Sequence, residues 1–365
     1  MKALLWLVIL FAAFGGAAFS EEAQGAISFE EMEAHLKNNG TEMDMQAIFD
    51  AIVSQDASFA PEEMLAHLKE ALKSRVGRSA EFLKKTTLYI LIAAFVSRLL
   101  QNAHTGKFAY FIIHLIASLT VYYESMTFLK DTERALSAIS GLIESVTPIL
   151  VGILALTGDT HFSAFVTPLG AFVSGAIGVG LQKAGIILIR IYASLTLAGS
   201  IGEMPVKRLS EGIGSLFKWM IGSAMSLFLL FMATGGAIAG AYDGAFFKGL
   251  KYAADTLIPI VGSEIAGKMD SITSGAMLLK SAAGVTGMAA LLNVCLHPAL
   301  DAFVNLWGLK LIACMLESVS DGETTYLVEA FSKVFALMFA LIAAAVTMGI
   351  LFLSAVIGVG KRVLG

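Results

Sequence analysis

From Thr86 onward the hydrophobic positions gather into long runs with neither the alternation of strands nor the polar face of soluble helices. The runs 86–101, 108–128, 139–157, 162–181, 185–201, 217–241, 274–296, 299–316 and 331–358 approach the roughly 20 apolar residues that cross hydrocarbon. Several are short or rich in glycine. The pattern predicts seven to nine spans and an all-α, polytopic helical membrane protein. Before Thr86 the period changes. In SFAPEEMLAHLKEALKSRV, residues 58–76, Met64, Leu65, Leu68, Leu72 and Val76 recur at spacings of three and four, which makes one apolar stripe on a helix. Ser58 suits its cap, Pro61 and Glu62–Glu63 its first turn, and basic residues its far end. Two readings fit the stripe: self-packing of a small helical region, or a docking face for a partner.

The first residues, MKALLWLVILFAAFGGAAFS, pair one Lys with an apolar core and small residues. That is the shape of a signal peptide cleaved after Ser20, or of an uncleaved anchor. Either way residue 21 onward begins outside the cytoplasm. Residues 21–85 hold 13 Asp or Glu against 7 Lys or Arg, an acidic, helical, extracytoplasmic region. Lys207, Arg208 and Lys218 mark a cytoplasmic loop, and Lys361–Arg362 a cytoplasmic tail. Composition agrees: the chain is 57% hydrophobic and 15% charged, with a mean hydropathy of +0.77. Soluble proteins run near 45–50% and 25%. The net charge of −4 comes without a basic, aromatic-laced patch, so nucleic acid is not an expected partner. The bilayer is.

One stretch fits neither span nor loop. ADTLIPIVGSEIAGK, residues 254–268, carries Pro259 and Gly262 in a short apolar core. Its DTLIPIVGS matches ESVTPILVG at 144–152, with Pro148 and Gly152 in like places. Further on, Leu209/Leu327, Glu211/Glu329, Phe217/Phe335 and Met220/Met338 keep one offset of 118 positions, against 111 for the prolines. The chain then divides into a signal peptide (1–20), the acidic region (21–85), first membrane helices (86–143) and two copies of a repeat (144–241 and 242–365). Since 217–241 leaves a cytoplasmic loop and 331–358 returns to a cytoplasmic tail, the copies face opposite ways. Inverted repeats of this kind place Pro/Gly-broken segments at the repeat interface. Pro148, Gly152, Pro259 and Gly262 are the candidates for such an element. An amphipathic helix on the outer surface fits 254–268 equally.

Charges inside apolar runs call for a partner, a water-filled cavity or a snorkelling path to the interface. Lys183, Arg190, Asp301 and Lys310 are the candidates, and the snorkelling reading is the plainer one for the lysines and the arginine. Gly236 and Gly240 form a GxxxG, and Gly175, Gly178 and Gly180 a second small surface, both suited to close helix packing. Cys295 and Cys314 fit no metal spacing. The six histidines form no paired motif, and no HExxH, GxSxG or Walker sequence occurs. No enzyme, catalytic residue, metal or cofactor is expected.

With these residues in view, the chain resembles the stage III sporulation protein AE family of endospore-forming bacteria. The likeness begins near LLQNAHTGKFAYFI, 99–112, continues through TPILVGILALTG and is clearest in IPIVGSEIAGKMDSITSGAMLLKSAAGVTG, 258–287. It covers most of 86–360. The sequence departs at Ser281, where the family pattern has Asn after the lysine. The resemblance implies a membrane subunit, permease-like, of the channel or secretion-like complex joining mother cell and forespore. It would sit in the mother-cell membrane around the forespore and be required for forespore development and late gene expression. The implied partners are the other products of the stage III sporulation A operon, among them an ATPase and ring-forming proteins, and a forespore channel protein. A self-sufficient secondary transporter of a small solute is the alternative that the inverted repeat alone suggests.

Overall fold

In the computed structural model the apolar runs are helical, and the helices are longer than the runs. The structure describes residues 61–99, 104–156, 160–201, 206–257, 262–317 and 322–359, with short pieces between 33 and 49. Side chains are described over 77–96, 108–155, 163–201, 208–233, 282–317 and 324–357, besides Val206 and those short pieces. The helices are α1 (Pro61–Leu99), α2 (His104–Leu156), α3 (Thr160–Gly175), a π-helical stretch (Ala176–Gly185), α4 (Ile186–Ile201), α5 (Lys207–Leu257), α6 (Gly262–Leu316) and α7 (Gly322–Val359). No strand occurs among the described residues. Among the described residues, five helical stretches are long and apolar enough to cross a membrane: Phe108–Ala155, Ser163–Ile201, Arg208–Ala233, Ala282–Leu316 and Thr324–Ile357.

Three pairs of expected spans are therefore single helices. The runs 108–128 and 139–157 join in α2: in the charged stretch between them Lys130, Glu133 and Arg134 are good helix formers, and Asp131, Glu133 and Arg134 find ion partners. The runs 162–181 and 185–201 meet in the π-helical stretch, where the backbone widens instead of breaking. The runs 274–296 and 299–316 join through Pro298, which lies inside α6; a proline removes one hydrogen bond there and need not end the helix. The divisions drawn at 85/86, 143/144 and 241/242 fall inside α1, α2 and α5, so they mark changes of composition and not of backbone. At 53 residues, α2 is about 80 Å long at 1.5 Å per residue, against about 30 Å of hydrocarbon.

Packing follows from register. Along α2, Thr147 meets Gly170, Ser140 meets Gly178, and Glu133 pairs with Arg190, so the chain from α3 to α4 runs antiparallel to α2. In the same way Gly284 meets Ile357, Gly287 meets Leu353 and Gly349 meets Leu291, which makes α6 and α7 antiparallel. α1 crosses antiparallel to α2, with Phe82 beside Phe128, and parallel to α6. α7 is the central element: Phe331, Phe335, Met338, Leu341, Met348 and Phe352 are fully or almost fully buried. On the outside, Leu91 and Phe95 of α1, Phe108 and Ile116 of α2, and Trp307 and Leu311 of α6 are exposed. Large apolar residues facing outward on neighbouring helices suit lipid.

Glycines set the closest approaches. Leu83 of α1 occupies the space that a Cβ at Gly308 would need. Gly308→Ala is expected to cost about 1–3 kcal/mol by overpacking, and Leu83→Ala in the same chain should recover part of it. Equal losses in the single and double variants, measured by thermal unfolding in detergent, would show that α1 does not seat there.

Candidate functional site

The polar groups of the bundle are placed by the helices just described, and they fall into a belt, a seam and a row. The belt lies across the middle of α2. Asp131 bonds Arg78 of α1 at 2.7 Å through Oδ2 and Arg134 at 3.1 Å through Oδ1. Glu133 bonds Arg190 of α4 at 2.7 Å. The Arg78 guanidinium also lies over the Phe128 ring, 4.6 Å from its centroid. Residues 131 and 133 leave α2 in different directions, so one short stretch of α2 ties it to both α1 and α4.

The seam runs between α2 and α4. His114 Nε2 bonds the Ser200 carbonyl at 2.9 Å, and Tyr122 and Ser194 hydroxyls meet at 3.2 Å. Between these rungs Ser118 and Thr196 are buried, and neither hydroxyl has a hydrogen-bond partner among the described residues. At one end Tyr110 stacks on His114 and its hydroxyl meets that of Thr324 of α7 at 3.1 Å. Hydroxyls and imidazole across a helix pair act as interhelical glue. The row, on α6, contains Asp301, whose Oδ1 accepts a hydrogen bond from Ser79 Oγ of α1 at 2.9 Å.

Each candidate read from the sequence has its place. Arg190 is exposed and ion-paired. Lys310 is exposed, its Nζ 5.2 Å from the centroid of the Trp307 ring, and Lys183 is exposed in the π-helical stretch. Asp301 differs: it is 4% exposed. Pro148 continues α2 without ending it and lies on an exposed side, and a Cβ at Gly152 would meet nothing within 4 Å. Pro259 lies outside the described residues. Gly262 opens α6, and its surroundings are outside them too. Gly236 and Gly240 lie within α5, and Met64, Leu65, Leu68 and Leu72 within α1, all with surroundings not described. Within the second small surface Gly178 approaches Ser140, whereas Gly175 and Gly180 face open space. Cys295 and Cys314 are free thiols.

Sequence reasoning did not single out Asp131, Glu133, Ser118, Thr196 or Asn305. The first two fall between the expected spans 108–128 and 139–157; their signal is oppositely charged residues spaced for one helix. The others are small polar residues in apolar runs, where spacing alone does not tell core from surface.

Comparison with known proteins settles the family. The family model described as stage III sporulation protein AE matches residues 43–360. The chain belongs to this family. The match begins at 43, earlier than the likeness from 86 expected from the sequence, and so takes in part of the acidic region and all of α1. The chain is also similar to the stage III sporulation protein AE of Bacillus subtilis (strain 168), 25% identical over 314 residues, covering 85% of this chain and 78% of that protein. No solved structure matches. A chain of this family with, among the described residues, five helices fit to span a bilayer is a sporulation-related, multi-pass membrane protein.

Proposed function

We propose that this chain is the permease-like membrane scaffold of the channel or secretion-like complex between mother cell and forespore. It sits in the mother-cell membrane around the forespore, and forespore development and late gene expression depend on it. Its partners are the ATPase and ring-forming proteins of the stage III sporulation A operon and the forespore channel protein. The observation that carries the reading is the family match over nearly the whole chain, 43–360. Helix length supports it. Helices of 51, 53 and 55 residues exceed the hydrocarbon thickness more than twofold, which gives the bundle reach beyond one bilayer for contact with other subunits.

The test is affinity purification of the full chain from sporulating cells after gentle crosslinking. The ring-forming proteins and the ATPase are expected to copurify, and deletion of the gene should arrest forespore development. Normal spores from the deletion strain would overturn the proposal. Solute uptake by liposomes holding this chain alone would favour the self-sufficient transporter instead.

A further inference from the structure

The α6 segment NVCLHPALDAFVN, residues 293–305, places Asn293, His297, Asp301 and Asn305 at regular steps of four. Each step rises one helical turn and shifts about 40° around the axis, so the row winds across the surface of α6. It winds inward: Asn293 is exposed and His297 half-buried, while Asp301 is 4% and Asn305 0% exposed. At the inner end Ser79 of α1, also fully buried, donates to Asp301. Gly308, within about 60° of arc of both Asp301 and Asn305, receives Leu83 of the same helix. Asp301 and Gly308 thus both face α1, and Asn305 lies between them along α6, one turn beyond Asp301 and about 40° around the axis from it.

There the amide has no partner. Neither Oδ1 nor Nδ2 of Asn305 makes a hydrogen bond among the described residues. Leaving such groups dry carries a desolvation penalty that leucine at the same position would not incur. One turn back along α6 are two buried oxygen-bearing groups: the carboxylate of Asp301 and, bonded to it, the hydroxyl of Ser79, whose lone pairs remain available when it donates.

We propose that the inner end of this row is a binding site for a hard monovalent cation of the sodium class. The Asp301 carboxylate, Ser79 Oγ and Asn305 Oδ1 are its protein ligands, and a water carried with the ion accepts from Asn305 Nδ2. The choice follows from ligand chemistry. Hard cations take carboxylate, amide and hydroxyl oxygens, and one carboxylate matches one positive charge. Multiply charged metals are disfavoured, since no group of three or more His, Cys, Asp or Glu residues gathers among the described residues. Asn293 and His297 form a polar approach from the surface. The site stands on α1 and α6 alone and does not depend on the complex proposed above.

The experiment is equilibrium binding of radiolabelled sodium to the purified full chain in detergent, with choline chloride holding ionic strength constant. Saturable, stoichiometric binding is expected, together with a rise in Tm that saturates over the same sodium range. Asn305→Leu and Ser79→Ala should each weaken it at least about tenfold, the loss that accompanies about 1.4 kcal/mol of ligand contact. Leucine fills the amide's volume, and Ser79→Ala removes one oxygen, so at least one folded variant is secured. Absence of saturable binding, or binding unchanged in a folded variant, overturns the proposal. So does a Tm that follows pH but not sodium, which would assign the site to a proton or to water.

Discussion

Phe335→Ala is expected to destabilise the bundle by about 3–5 kcal/mol, the range for deleting a buried aromatic side chain. Phe335 is completely buried, and its ring centroid lies 5.7 Å from that of Phe82 and 5.6 Å from that of Phe128. Phe82 and Phe128 are themselves 5.7 Å apart. One ring from each of α1, α2 and α7 therefore closes a three-way junction. Removing any one leaves the other two without an edge or face to pack on. The cavity cannot collapse easily, because all three helices are also fixed on either side of it. Phe335→Leu should cost much less, since most of the volume is retained. Phe303, 46% exposed although its ring lies 5.9 Å from that of Phe339, is the control, and Phe303→Ala should cost under about 1 kcal/mol. Thermal or denaturant unfolding in one detergent compares all three. Similar losses at Phe335 and Phe303 would show that the junction is not where the bundle is held.

That junction was partly legible. Phe335 stood in the repeat alignment opposite Phe217, and both are buried. Leu209 and Leu327, aligned by the same offset, part company: Leu209 is 56% exposed and Leu327 fully buried. Hydropathy identified which residues enter helices because period and apolar content are local. It misplaced the breaks because a charged or proline-bearing stretch ends a helix only when nothing compensates it. At Asp131 and Glu133 the compensation comes from Arg78 and Arg190, which lie 53 and 57 residues away in sequence. Burial is non-local for the same reason. Asp301 and Lys310 looked alike as charges in an apolar run, yet α1 covers the first and leaves the second exposed beside Trp307. Asn305, uncharged, gave no sequence signal at all, although it is the more deeply buried of the polar pair.

The belt supports the second large effect. Asp131→Ala is expected to cost about 2–4 kcal/mol, somewhat below the 3–5 kcal/mol for breaking a fully buried pair. The discount is set by exposure: the Asp131 side chain is 21% exposed and that of Arg78 35%. The variant leaves the Arg78 and Arg134 guanidiniums with no carboxylate between them. Glu133 cannot substitute while it holds Arg190. Arg134→Ala should be nearly silent by comparison, because that side chain is 66% exposed and surface pairs of this kind contribute at most about 1 kcal/mol. Asp131→Asn keeps an acceptor at Oδ1 and should fall between them. Arg78→Ala added to Asp131→Ala should recover stability, since it removes the stranded charge, although the Phe128 ring then loses its cation. The comparison belongs in low and high salt: screening acts on the exposed Arg134 contact first and on the partly buried Arg78 contact much less. A loss below about 0.5 kcal/mol for Asp131→Ala, or a double variant weaker than the single one, would mean that the belt is ornament on a bundle held by apolar packing alone. If the expected order holds, α1 is fastened to α2 by charge at residue 131 and by aromatic packing one turn away.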